Sequence, residues 1–159
     1  MASIRKYDYR RWLPHLQKDD WPVFVTFDTY QRWIIPPEVR HLVLDCCVAQ
    51  HSATCELHVA TVMPDHVHLI LTPLRDADTS SFSLAEILKA IKGRSARELN
   101  RALGRAGTVW QQESFDHVLR SNESLGEKVE YVWMNPVRAG LVDKPELWPW
   151  SWRARVPVL

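Results

Sequence analysis

Residues 55–72, CELHVATVMPDHVHLILT, decide the fold. Two runs rich in β-branched and apolar residues, Cys55 to Met63 and His66 to Thr72, flank Pro64-Asp65, a turn signal, and so predict a β-hairpin. A two-residue loop sets Met63 opposite His66 and Thr61 opposite His68. Alternation then places both imidazoles on one face, with Val67, Leu69 and Leu71 on the other. The same register puts His58 opposite Leu71, on the face away from the imidazoles.

Working outward, residues 22–30 (PVFVTFDTY) read as a first strand. Pro36-Pro37 opens a helix to about Gln50, whose stripe of Val39, Leu42, Val43, Cys46 and Cys47 faces a core and accounts for the adjacent cysteines. Downstream, residues 75–81 are a polar loop. Ser83 and Glu86 then form a capping box before a helix reaching about Leu103, buried along Leu84, Ile87, Leu88, Ile91 and Leu99. A short strand or irregular segment falls within residues 109–120. Ser124 and Glu127 start a last helix that ends near Gly140. The order β-α-β-β-α-(β)-α predicts an α+β fold: a split βαβ sandwich of the ferredoxin-like or RRM-like kind. Its sheet is antiparallel, the histidine pair lies on a central strand, and the extra C-terminal helix covers the other face. One domain spanning residues 1–159 is expected, with residues 1–21 as an arm and the Trp-rich tail 145–159 packing back over it.

The chain has 159 residues, and 46% hydrophobic with 25% charged residues is the balance of a globular protein, which excludes disorder as the dominant state. Lys plus Arg is 20 against 19 for Asp plus Glu, which excludes a uniformly basic coat but not a local basic patch. The three cysteines include no C-x-x-C pair, which argues against a cysteine zinc site. No signal-like or membrane-length apolar stretch is present, so a reduced, cytoplasmic setting is expected.

Two imidazoles at i and i+2 on a strand can grip one divalent cation from the same side; they can equally be polar residues on a half-exposed face. Tyr131 and Asn135 are four apart and share a helix face, and Pro136 bends or ends that helix. An amide oxygen suits magnesium or manganese and can complete a two-imidazole site. Read alone, Tyr131 is also an ordinary surface or core tyrosine, and Asn135 an ordinary residue before proline. Lys92, Arg94, Arg97, Arg101 and Arg105 against Glu98 leave a net +4 on one helix, either a DNA-contacting stripe or a solvated face. Arg5, Lys6, Arg10 and Arg11 in the arm, and Arg153 and Arg155 in the tail, add to it. Arg138, seven residues beyond Tyr131, shares its face if the helix survives Pro136.

His66-Val67-His68 matches the HUH motif (histidine, large hydrophobic, histidine), set within MPDHVHLILTP. Residues 131–142, YVWMNPVRAGLV, look like a tyrosine-helix signature, and residues 92–97 (KGRSAR), 110–112 (WQQ), 116–120 (DHVLR) and 150–151 (WS) are further matching blocks. Together these resemble the REP-associated tyrosine transposases, relatives of the one-tyrosine transposases of single-stranded insertion sequences, over about residues 22–152. The resemblance implies that His66 and His68 hold Mg2+ or Mn2+ with Asn135 as third ligand, a place a glutamine usually fills in the insertion-sequence relatives. It implies that Tyr131 attacks a phosphodiester of single-stranded DNA, leaving a 5′-phosphotyrosine and a free 3′-hydroxyl. A phenol, with a pKa of about 10, is a poor nucleophile at neutral pH, and a cation supplies the missing help. The implied partner is hairpin-forming repetitive extragenic palindrome DNA in a bacterial nucleoid, with the protein acting as monomer or homodimer. Two other readings stay open. One is a non-catalytic nucleic-acid-binding module on the same fold; the other is a zinc hydrolase built on His66, His68 and His117.

Overall fold

A computed structural model of the chain describes residues 21–75, 81–120 and 124–155. The arm's candidate cations, and Tyr7 and Tyr9, the arm's weaker alternatives to Tyr131 as nucleophile, lie outside the described residues. The first strand, β1 (Val23–Asp28), alternates buried and half-buried residues. After a single 3-10 turn at Pro37–Val39, helix α1 runs over Arg40–Val48, and its buried residues include Val43, Cys46 and Cys47. Proline supplies no N–H, so it fits the tight turn better than the body of the expected longer helix. All three cysteines are buried and free.

Strands β2 (Cys55–Val62) and β3 (His66–Pro73) form the expected hairpin, with Thr61 paired to His68 and Val62 to Val67. β3 is central because β1 pairs with its other edge, setting Thr26 opposite His68 and Asp28 opposite His66. Helix α2 (Leu84–Leu103) begins where Ser83 Oγ accepts the Glu86 amide and ends at Gly104, whose φ of 59° closes the helix in the left-handed region. Strand β4 is Phe115–Val118, helix α3 is Leu125–Trp133, a short α4 is Asn135–Arg138, and the tail contributes β5, Ser151–Arg153. The sheet order is β4-β1-β3-β2-β5, and every pairing is antiparallel. The tail therefore does more than pack back: it adds an edge strand beside β2, and Trp148 is buried with its indole N–H donating to the Val62 carbonyl.

The two faces of the sheet do different work. Val23, Val25, Phe27, Val67, Leu69 and Leu71 join the stripes of α1 and α2 in the main core. On the opposite face Val59, Ile70, Leu119 and Val132 form a smaller cluster that seats α3. The extra helix thus lies on the face of the histidine pair, as the element order predicts.

Two local expectations give way. The register of β2 shifts between Leu57 and Val59, so His58 sits in a bulge and turns to the face of the histidine pair, where its Nε2 bonds Thr72 Oγ1 at 2.8 Å. The bulge is held from outside the hairpin: the Leu57 amide donates to His51 Nδ1 and the Ala154 amide to the His58 carbonyl. Thr72 is four residues from His68, about 13 Å along an extended strand, so His58 still does not join the pair. The last helix does not run unbroken to Gly140 either: it is interrupted at Met134, where Pro136 is expected to bend or end it. Pro136 lacks the amide that would bond the Val132 carbonyl, and Thr61 Oγ1 on the sheet donates to that carbonyl instead, at 3.4 Å.

Candidate metal and nucleophile site

The sequence places His66 and His68 on one side of β3, and their neighbours fix how each ring is turned. Asp65 Oδ1 accepts from His66 Nδ1 at 2.7 Å, which leaves Nε2 as the lone-pair nitrogen. Arg32 holds that carboxylate in turn, with Nε 3.1 Å from Asp65 Oδ2 and Nη1 2.9 Å from Asp28 Oδ1. Both Gln31 and Arg32 have positive φ, 54° and 55°, a conformation that side-chain-bearing residues adopt only when their surroundings hold them there. His68 Nδ1 shares a 2.7 Å hydrogen bond with Thr26 Oγ1. Both Nδ1 atoms are therefore occupied, and the two rings stand 4.7 Å apart at 78°. Burial, then the neighbouring His66 and Arg138, push the His68 pKa down to about 3, so this imidazole is neutral and a competent ligand at physiological pH.

Helix α3 brings the tyrosine to the same place. Val132 packs on Val59 and Ile70, and its carbonyl lies over Thr61, the residue paired with His68. Tyr131, one residue earlier, is 56% exposed, so its phenol faces solvent rather than the interior. Although the helix breaks, Arg138 folds back onto the tyrosine. Its Cζ lies 3.7 Å from the ring centroid, and Nη2 donates to the Tyr131 carbonyl at 2.6 Å and to Asn135 Oδ1 at 3.1 Å. An amide oxygen carries two lone pairs, so this bond leaves Asn135 one for a cation. Among the described residues no cluster of three His, Cys, Asp or Glu side chains is arranged to hold a metal, so the zinc set of His66, His68 and His117 is not assembled. Two imidazole nitrogens and an amide oxygen are a donor set that suits a divalent cation.

The structure gathers His66, His68, Tyr131, Asn135 and Arg138 on one face. It does not bring the basic stripe there. Lys92, Arg94, Arg97 and Arg101 ride on α2, whose buried side joins the core beneath the opposite face, whereas Arg105, expected on the same helix, lies past its end at Gly104. Lys92 is tied to the segment before β4: Nζ donates to the carbonyls of Gln111 (2.6 Å) and Gln112 (3.2 Å) and to Ser114 Oγ. Arg105 stacks on Trp33 and bonds Asn100 and the Thr108 carbonyl, while Arg94 pairs with Glu98. A groove of about 930 Å3 between α2 and residues 107–116 lies on this layer too, remote from the imidazoles. Lys92→Ala should destabilise the fold by about 1 kcal/mol, because the half-buried Gln111 carbonyl loses this donor. Arg101→Ala should stay within about 0.5 kcal/mol. Urea unfolding of the two variants checks the difference.

The family described as Transposase IS200 like matches residues 24–132, more than half the chain, and takes in the hairpin and Tyr131. The chain belongs to this family. Among curated IS200-like relatives, the REP-associated tyrosine transposase of Escherichia coli K12 is 26% identical over 71% of this chain and 61% of its own length. A Haemophilus influenzae protein assigned to the same class is 25% identical over 64% of this chain and 63% of its own. The chain thus spans about three fifths of these relatives. A solved REP-associated tyrosine transposase bound to a REP hairpin superposes with a TM-score of 0.63 at 22% identity, covering 83% of this chain and 76% of that one. A bacterial tRNA(His) guanylyltransferase-like protein in complex with GTP also superposes, with a TM-score of 0.51 at 10% identity over 88% of this chain and 77% of that one. The fold alone therefore does not select a chemistry, and the choice among IS200-like and other activities falls to the site.

Sequence reasoning missed Thr26, Arg32 and Asp65 as partners of the imidazoles. Asp65 had a signal, its adjacency to His66; Thr26 is found only once β1 is known to pair with β3. Asp65→Asn should weaken Mn2+ binding by about 10- to 100-fold, because the His66 ring loses its charged anchor. Calorimetric titration of the protein with Mn2+ reads this directly, and unchanged affinity would remove Asp65 from the site.

Proposed function

We propose that this chain cuts and rejoins single-stranded DNA, with Tyr131 as nucleophile and His66, His68 and Asn135 holding Mg2+ or Mn2+. The observation that carries the reading is the exposed Tyr131 phenol on the sheet face where two oriented imidazoles present their Nε2 atoms. When bound, the cation polarises a phosphate oxygen and stabilises the charge that builds up during displacement.

The chain's own residues do the rest. His66 and His68 are held in place by Asp65 and Thr26, which lowers the cost of ordering the site. Tyr131 Oη forms a bond to phosphorus and loses its proton to solvent, the P–O3′ bond breaks, and the departing oxygen takes up a proton as a free 3′-hydroxyl. The 5′-phosphotyrosine retains the energy of the broken linkage, so a 3′-hydroxyl can reverse the step with no nucleotide cofactor. Arg138 places a permanent cation over the ring that carries the attacking oxygen.

The relatives point to REP-type hairpins as the substrate class. The exposed cations of α2, Arg94, Arg97 and Arg101, lie on the far layer and would contact backbone phosphates outside the cleaved linkage. The full chain, incubated with a labelled REP-type hairpin bearing single-stranded flanks and with Mn2+, should give a denaturation-resistant protein–DNA species and a free 3′ end. Binding without such a species, unaffected by chelator, would make the protein a non-catalytic DNA-binding module.

A further inference from the structure

Three rings run across the site face of the sheet, those of His68, Phe24 and Phe115, and the cleavage reading gives Phe115 no task. The Phe24 ring lies nearly parallel to His68, 5.6 Å away at 24°. The Phe115 ring meets Phe24 edge-on at 6.4 Å and 70°. Phe24 joins the apolar cluster beneath α3, but Phe115 stands outside it and is 51% exposed on β4, the outermost strand on that side among the described residues. An exposed aromatic on an edge strand is a liability for association unless something covers it. Phe115 pairs with Thr26, which pairs with His68, so it lies two strand spacings, about 10 Å, from the imidazole.

We propose that Phe115, backed by Phe24, is a stacking platform for an unpaired base of the DNA strand flanking the linkage held at His66 and His68. This rests on the reading above that the scissile phosphate sits at those histidines. Three features select a nucleic-acid base as the occupant. The platform is continuous with the histidine pair through Phe24, so a strand crossing it already lies at the site. Arg138, stacked on the Tyr131 ring of the helix seated over this face, supplies the cation that a phosphate strand needs there. A base offers a flat aromatic face whatever its identity, and stacking on such a ring orders the strand without reading its sequence. The base would also fix the strand's direction across β1, presenting the flanking phosphate to Tyr131 in one orientation.

The full chain carrying Tyr131→Phe, which cannot turn over, is titrated with a labelled oligothymidylate and with an abasic phosphodiester strand of the same length. The base-bearing strand should bind about tenfold more tightly. Adding Phe115→Ala should erase that preference and leave affinity for the abasic strand unchanged, and Phe115→Trp should keep it. A preference that survives Phe115→Ala, or affinities for both strands that fall together, would overturn the platform. Adduct formation by the Tyr131-intact chain is read separately. If no strand gives an adduct while Phe115→Ala still erases the preference, the cleavage reading fails and the platform stands as a single-strand binding surface. An adduct in the presence of an unaffected preference does the reverse.

Discussion

Tyr131→Phe should lose the covalent protein–DNA species completely and slow cleavage by about 10⁴-fold or more, because removing a nucleophile removes its reaction path. Hairpin affinity should be unchanged. The substitution deletes one oxygen from an exposed ring and leaves the face on which Arg138 stacks, together with the bonds from Arg138 to the Tyr131 carbonyl and Asn135. Neither the packing of Val132 nor the bond from Thr61 to its carbonyl involves the phenol oxygen. A melting curve matching the wild type would show that the lost activity is chemical. Cleavage persisting near the wild-type rate would exclude this tyrosine as the nucleophile.

His68→Ala should be nearly as severe. Several kcal/mol of cation-borne stabilisation of the displacement corresponds to about 10³-fold in rate, and a lone remaining imidazole is a weak ligand. The effect should appear in the Mn2+ dependence: the variant should need far more metal, with a lower limiting rate. Thr26→Val leaves the imidazole in place and removes only its hydrogen-bond partner, so a loss of about 10- to 100-fold in metal affinity is expected. The order wild type, Thr26→Val, His68→Ala separates a metal-holding role from a purely structural one. A structural histidine stacked on Phe24 would show its effect in melting temperature and not in the metal titration.

The hairpin was legible because a two-residue turn fixes register, and register fixes which face each side chain takes; Thr61 does pair with His68. Both capping boxes were legible for the same local reason, since Ser83 and Ser124 bond amides only three residues away. What escaped depends on partners far along the chain. The bulge that turns His58 over is held by His51 and Ala154, and no pattern within β2 announces it. Arg138 reaches Tyr131 across a helix break, so the face it shares with the tyrosine arises from a fold-back that helical spacing does not describe. The basic stripe expected to run to Arg105 stops at Arg101, because α2 ends at Gly104 and Arg105 turns onto Trp33. Its position relative to the imidazoles follows from which sheet face α2 covers, a tertiary fact, and Lys92 is drawn off by a segment some twenty residues downstream.

The most direct trial is to digest the DNA-linked protein and sequence the nucleotide-bearing peptide by mass spectrometry. A 5′-phosphodiester carried on the side chain at position 131 is the predicted result. The same modification on Tyr7, Tyr9 or Tyr30, or on no tyrosine at all while the DNA is still cut, would contradict the mechanism.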